Sequence, residues 1–337
     1  MTSRPNVVRR LRRGLLAAVV AASVAVPLAG AARPTAVPAP APAALGPLTA
    51  GGGAAELTQR YTANRADIVA ARRLATRYGD RQRATELAEL SQPERRFLSF
   101  DGRDGGRTVE VFGDLATART VAVFVPGSDT NLGTYDRFAA GAQALERQLG
   151  GDAAHAAVVA WLGYATPDTV SPSVLTDGRA DQAAPQLQDF VGRLEAFRPQ
   201  ARTSVICHSY GSTLCARAAS GLDVADIVLF GSPGVGSDLP NVSGLHTKAT
   251  VWAGRASGDW IANVPHVRVP ALFTTLGLGT DPVTPGFGAH LFAAGAGGHS
   301  DYLRPGSVPL RSIAAIVSGA ADRATSHCCD LPPTSRF

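Results

Sequence analysis

Val205-Ile206-Cys207-His208-Ser209-Tyr210-Gly211-Ser212 is the stretch on which the fold of this chain turns. Residues 203–206 ahead of it are a short apolar run of strand type. Behind it, Thr213-Leu214-Cys215-Ala216-Arg217-Ala218-Ala219 reads as a helix with small residues facing inward. A strand, a tight turn with serine at its apex and then a helix make up a nucleophile elbow. The strained turn pushes the serine hydroxyl out of the sheet, and the helix aims its N-terminal N–H groups at whatever the serine attacks. Small residues must flank the apex because strand and helix nearly collide there. Gly211 meets that need; two residues before the serine, where glycine is usual, stands Cys207. An ordinary serine-containing strand-to-helix turn reads the same way in isolation, so the partners must come from the rest of the chain.

Outward from the elbow, strand and helix signals alternate. Residues 97–100 and 108–112 flank Gly102-Arg103-Asp104-Gly105-Gly106 as a hairpin. Buried strands are predicted over 121–125 and 157–162, with helices over 136–149 and 180–197. Further strands follow at 227–230, 250–253 and near Leu291, and a closing helix at 310–319. An antiparallel start followed by β-α repetition predicts an α/β protein with a mostly parallel sheet covered by helices on both faces. Ligands bind such sheets at the carboxyl ends of the strands, where the serine lies.

Toward the N-terminus the character changes. Arg4, Arg9, Arg10, Arg12 and Arg13 precede an apolar run over 14–28, and Ala29-Gly30-Ala31 is a small-x-small cleavage site. Residues 1–31 thus read as an export signal, with an uncleaved anchor as the alternative. Residues 32–55 are rich in Ala, Pro and Gly and predict a disordered or extended linker. Residues 56–95 turn helical, broken near Gly79. Ser91-Gln92-Pro93-Glu94 has capping-box spacing and predicts another helical turn. This segment is expected as a small helical appendage before a main domain over 96–323, with a polar tail over 324–337.

The 337 residues carry 32 Lys+Arg against 27 Asp+Glu. Five of those arginines and no acid fall within 1–31, so the remainder balances at 27 against 27. The basic excess belongs to the leader rather than to a nucleic-acid surface. The sequence offers no phosphate loop, metal-ligand cluster or nucleic-acid motif, so neither a cofactor nor a nucleic-acid partner is expected, and membrane contact only through an uncleaved leader. Export permits a disulfide. Cys207 on the strand and Cys215 in the helix fall at about the same height. Either they bond and brace the elbow, or they are two free buried thiols.

A serine hydroxyl attacks only after a base takes its proton, and a third group orients the base. Among seven histidines, His299 in Gly297-Gly298-His299-Ser300-Asp301 sits on a glycine-rich loop able to present its ring above the sheet; His290 is the runner-up. The acid is expected at a strand end. Asp259 follows a strand between glycine and an apolar pair, with helix capping as its plain role and Asp281 and Asp238 as rivals. Ser209, Asp259 and His299 in that chain order match the order of α/β-hydrolases. Two backbone donors are needed for the oxyanion, predicted as the amides of Tyr210 and Ser128.

Val125-Pro126-Gly127, Trp161-Leu162-Gly163-Tyr164, His208-Ser209-Tyr210-Gly211-Ser212, Gly231-Ser232-Pro233-Gly234, Asp281-Pro282 with Phe287-Gly288, and Gly298-His299-Ser300 run in order through 97–320. On these segments the chain resembles an actinobacterial α/β-hydrolase family catalogued as a domain of unknown function. The resemblance implies a serine hydrolase. Three departures stand out: Cys207 for glycine, Ala165 for an aspartate, and Ser128-Asp129 where an apolar residue and glycine are favoured. A carboxylate at 129 would oppose the developing oxyanion unless turned away or paired. The expected activity is hydrolysis of a small-molecule ester or acyl substrate, the alternative a weak or inactive envelope binding protein on the same fold. The substrate wall is expected from residues 262–298, with Leu272, Phe273, Leu276, Phe287 and Phe292, helped by the N-terminal helices.

Overall fold

A computed structural model describes residues 38–169, 171, 176–236, 238–264, 269–271, 274–276 and 278–321. The expected export signal, the start of the linker and the polar tail lie outside them.

Residues 38–53 form no helix or strand but are tied down. The Ala43 amide donates to Asp67 (2.7 Å) and the Thr49 amide to Glu56 (3.0 Å). Arg60 donates to the carbonyls of Gly46 and Pro47 (2.5 and 2.6 Å). The described part of the linker is therefore a strap against the first described helix, α1 (Ala54–Arg77), which begins two residues before the expected start. Gly79, at φ 74°, breaks the chain before α2 (Arg81–Leu90), which Asp80 caps by accepting from the Arg83 amide. The helical turn expected after Ser91 is reduced to a single hydrogen-bonded turn, the Arg95 amide donating to the Gln92 carbonyl (3.2 Å). Ser91 instead closes α2, its amide already bonded to the Leu87 carbonyl, and leaves no new helix to start.

The hairpin follows as β1 (Phe97–Asp101) and β2 (Arg107–Gly113). Then come β3 (Thr120–Val125), α3 (Tyr135–Gln148), β4 (Ala156–Leu162), α4 (Gly178–Phe197), β5 (Arg202–His208), α5 (Tyr210–Ala218), β6 (Asp226–Phe230) and β7 (Thr250–Gly254). A separate two-stranded ribbon, β8 (Val269–Ala271) with β9 (Thr274–Leu276), precedes the short β10 (His290–Leu291) and the closing helix α6 (Val308–Val317). Eight strands make one sheet in the order β1-β2-β4-β3-β5-β6-β7-β10, antiparallel at β1-β2-β4 and parallel from β4 onward.

Alternation along the strands sorts their side chains into two layers. Val121, Val123, Val125, Val205, Cys207, Ile227 and Leu229 share a core with Leu187, Val191 and Leu194 of α4 and Leu214 and Cys215 of α5. The alternate residues, Phe124 and Phe230 among them, face the side of α3, where Phe124 meets Phe138 at 4.5 Å between ring centroids. Leu57 of α1 belongs to the first core, Asn64 Nδ2 donates to the Phe97 carbonyl, and Arg95 grips buried Glu110 with two 2.7 Å bonds. α1 is thus tied to the sheet's core at the β1 end, and α2 packs on α1.

Candidate active site

β5 ends at His208, and Ser209 alone makes the turn into α5, at φ 53° and ψ −128°. Positive φ strains any residue with a Cβ, so such a conformation survives only where packing enforces it. A side chain at Gly211 would lie 2.6 Å from the Pro126 carbonyl oxygen, and one at Gly127 would lie 2.6 Å from the Ser209 Cβ. Glycine is required at both. Cys207 replaces the usual glycine without a clash because its side chain points into the α4/α5 layer, where it is disulfide-bonded to Cys215. Of the two alternatives for this pair, the bonded one holds.

Ser209 Oγ lies 2.9 Å from His299 Nε2. His299 Nδ1 lies 2.9 and 3.0 Å from the two carboxylate oxygens of Asp259. The acid sits in the loop after β7 and also caps the following 3-10 turn, accepting from the Ile261 amide at 2.9 Å. The capping role and the histidine contact are served by one carboxylate. It takes a further bond from Tyr302 Oη (2.7 Å), whose oxygen in turn accepts from the Ala256 amide (3.0 Å). Burial raises the Asp259 pKa, but the bonds from His299, Tyr302 and Ile261 outweigh it and hold the carboxyl below its ordinary value. Its carboxylate is thereby kept ionised. Burial pushes the Tyr302 hydroxyl up, and its bond to Asp259 adds to that, so it remains a donor.

Sequence reasoning missed Tyr302 and understated His208. Tyr302 lies three residues after His299, but nothing in its spacing says that it turns back to Asp259. Strand alternation sends the His208 side chain to the face opposite Cys207. There its ring stands 4.7 Å from that of His299, and Nε2 meets the His299 carbonyl oxygen at 2.8 Å. Because a carbonyl only accepts, Nε2 carries the proton. Burial and the neighbouring His299 lower the His208 pKa to about 3.

The rivals fall elsewhere. Asp281 pairs with Arg255 at 2.6 Å, Asp238 pairs with Arg217, and His290 packs against Trp252 on the edge strand. Asp129, at φ 58°, accepts from the amide and hydroxyl of Thr169, so its charge is engaged by that residue. Ala165 offers only its carbonyl, to Arg179 at 3.4 Å. The turn carrying Gly127 and Ser128 is pinned by Tyr164 Oη, which donates to the Pro126 carbonyl at 2.7 Å.

Ser128, Ser209, Tyr210 and His299 line one cavity of about 720 Å³. Its described wall meets the expected range at Val264 and Leu278 and otherwise comes from β3, α3 and the loops around 260 and 303: Phe124, Phe138, Trp260, Ile261 and Leu303. Phe287 is buried in the first core, and Phe292 packs over Gly254. Leu272 and Phe273 lie outside the described residues, as does the Leu276 side chain. No residue of α1 or α2 belongs to the described wall, because these helices pack at the β1 end of the sheet.

The chain belongs to the alpha/beta hydrolase family, whose model matches residues 101–269. Two uncharacterised proteins from different strains of Mycobacterium tuberculosis are each 30% identical over 260 residues, 68% of this chain and 39% of theirs. The chain therefore spans about two fifths of the length of these relatives. Among solved structures it is similar to a lidless serine hydrolase from Xanthomonas campestris, at 15% identity over 72% of this chain and 98% of that one, with a TM-score of 0.42. A dienelactone hydrolase from Anabaena variabilis gives 16% identity, 68% and 96% coverage and the same TM-score. The family match and the strand order carry the fold; likenesses this distant carry no chemistry.

Proposed function

We propose that the protein is an exported serine hydrolase that cleaves carboxylic esters of small molecules through an acyl-enzyme. The contact chain Ser209–His299–Asp259, with heavy atoms 2.9 Å apart at both links, carries this proposal. Ser209 Oγ attacks the ester carbonyl while His299 Nε2 takes its proton and passes it to the leaving alcohol. Asp259 fixes the ring with Nδ1 protonated and stabilises the imidazolium. The amides of Tyr210 and Ser128 receive the negative charge that develops on the carbonyl oxygen. Water, deprotonated by His299, then releases the acid and restores Ser209. The largely apolar cavity wall favours an acyl or aryl body, which argues for esters ahead of peptides. Neither a cofactor nor a nucleic-acid partner is part of this reading.

The binding-protein alternative drew on Cys207, Ala165 and Asp129. The bond to Cys215 and the Thr169 contacts answer two of those points. Export rests on residues 1–31; among the described residues no helix is long and apolar enough to cross a membrane. A fluorophosphonate probe and p-nitrophenyl ester assays test the proposal. Labelling at Ser209 and its loss in Ser209→Ala, together with loss of turnover, is the expected result. An unlabelled wild type whose ester turnover survives Ser209→Ala ends it.

A further inference from the structure

The cavity above Ser209 is apolar over most of its wall, yet its charge is lopsided. Apart from the two histidines, the charged residues among its described lining are Asp129, Arg137 and Arg304. Asp129 is occupied by the amide and hydroxyl of Thr169. The two guanidinium groups are not matched in the same way. Arg137, in the first turn of α3, makes no side-chain hydrogen bond or ion pair among the described residues. Its neighbour Asp136 is turned to Arg95, at 3.2 Å. Arg304 is 73% exposed, and its only ion pair, with Asp301 at 3.8 Å, is too long for a hydrogen bond. Asp301 already accepts the Gly298 amide at 2.8 Å. The N-terminal end of α3, with Thr134, adds its positive partial charge to the same wall. Arg95, Arg217 and Arg255 sit on carboxylates within hydrogen-bond reach; what sets Arg137 and Arg304 apart from the other unpaired arginines is that they line the cavity that holds Ser209.

We propose that Arg137 and Arg304 receive an anionic group, a carboxylate or a phosphate monoester, carried by the ester substrate. This rests on the hydrolase reading above and narrows it. The substrate class is an amphiphilic ester with an apolar body among Phe124, Phe138 and Leu303 and one anionic group at the arginines. Guanidinium suits both anions because its planar fork matches two oxygens at once.

Two matched ester pairs test this. In the first, p-nitrophenyl hydrogen glutarate is compared with p-nitrophenyl pentanoate, which places the charge on the acyl side. In the second, 4-(pentanoyloxy)phenyl phosphate is compared with its neutral dimethyl ester, which places the charge on the alcohol side. In at least one pair kcat/KM is expected to favour the anion about tenfold at low salt, with the preference shrinking toward unity at about 0.5 M NaCl, where charges are screened beyond a few ångströms. The pair that responds identifies the charged side. Arg137→Gln combined with Arg304→Gln collapses the preference, whereas Arg193→Gln, a change on the outer face of α4, retains it. A neutral ester preferred in both pairs, or a preference that persists in the double variant, overturns the substrate class while leaving the hydrolase reading intact. No turnover of any of the four esters together with no fluorophosphonate labelling removes both.

Discussion

The two halves of the proposed catalytic relay are held by opposite means. The Ser209 half is short-range: strand, turn and helix follow one another within 202–218, cross-linked by a disulfide between residues eight apart. Its strained φ is enforced by glycines at 127 and 211, which let two backbones close to contact. The other half is assembled from loops after β7 and β10, joined by one main-chain bond from the Ser257 amide to the Gly295 carbonyl (2.9 Å), where Asp259 and His299, 40 residues apart, meet through their side chains. Tyr302 and His208 steady that meeting, one through the carboxylate and the other through the His299 carbonyl. Gly231, at φ 57°, leaves the space: a side chain there would stand within 3.1–3.3 Å of Tyr302, Asp259 and His299. A nucleophile can be built into the main chain, whereas a base and its acid have to be aligned by a network.

The sharpest way to break this contrast is Asp259→Asn. If the network exists to orient His299, kcat should fall by about 10³–10⁴ with the fold retained, because the amide favours the wrong imidazole tautomer. A loss under tenfold in ester kinetics, with an unchanged circular dichroism spectrum, would make Asp259 a helix cap and little else. Next in size is the disulfide. Replacing Cys207 and Cys215 by serine should cost about 2–3 kcal/mol in a urea melt, the loop-closure value for so short a ring. The elbow half should suffer more than the loop half, so hydrogen exchange should rise first over 202–218.

His208 links the halves, and its acid behaviour gives the third test. The folded protein keeps this imidazole neutral down to about pH 3, whereas in the unfolded chain it takes a proton near its ordinary value of 6.5. Between those values the unfolded state binds more protons. Stability is therefore complete above 6.5 and is lost as the pH falls toward 3. From neutrality to about pH 5 the loss should be about 2 kcal/mol, and His208→Gln should flatten that slope in urea melts taken across the range. The smallest effect is expected from Tyr302→Phe. It removes one of the donors on Asp259, so kcat should drop about tenfold with KM nearly constant, the mark of an interaction that matters in the transition state. An equal change in KM would mean that Tyr302, which also lines the cavity, acts on substrate binding instead.

How much of this can be read from the chain follows the same division. The elbow is legible because its signals are adjacent: a β-type run, serine, glycine two residues on, then helix. Buried strands announce themselves as unbroken apolar runs, and every strand from β1 to β7 lies within a residue or two of its expected place. Asp259 and His299 are nameable from chain order and from loop glycines, although that order does not bring them together. Tyr302 could not be named, because its role depends on a hydroxyl turning back across a loop. The cavity wall was misassigned for a related reason. Apolarity marks Phe287 and Phe292 as inward-facing without saying against what: Phe287 is buried in the first core and half-buried Phe292 covers Gly254, leaving Phe124, Phe138 and Leu303 to line the serine's cavity.

By itself, then, the sequence determined the layered α/β plan, the site of the serine and the residue types able to serve it, because periodicity and backbone constraint act over a few residues. The tertiary structure alone decided that Cys207 and Cys215 bond, that Asp129 is held by Thr169, and that two arginines remain open beside an apolar wall. Those outcomes depend on which distant surfaces meet, and that follows from how the loops pack over the sheet.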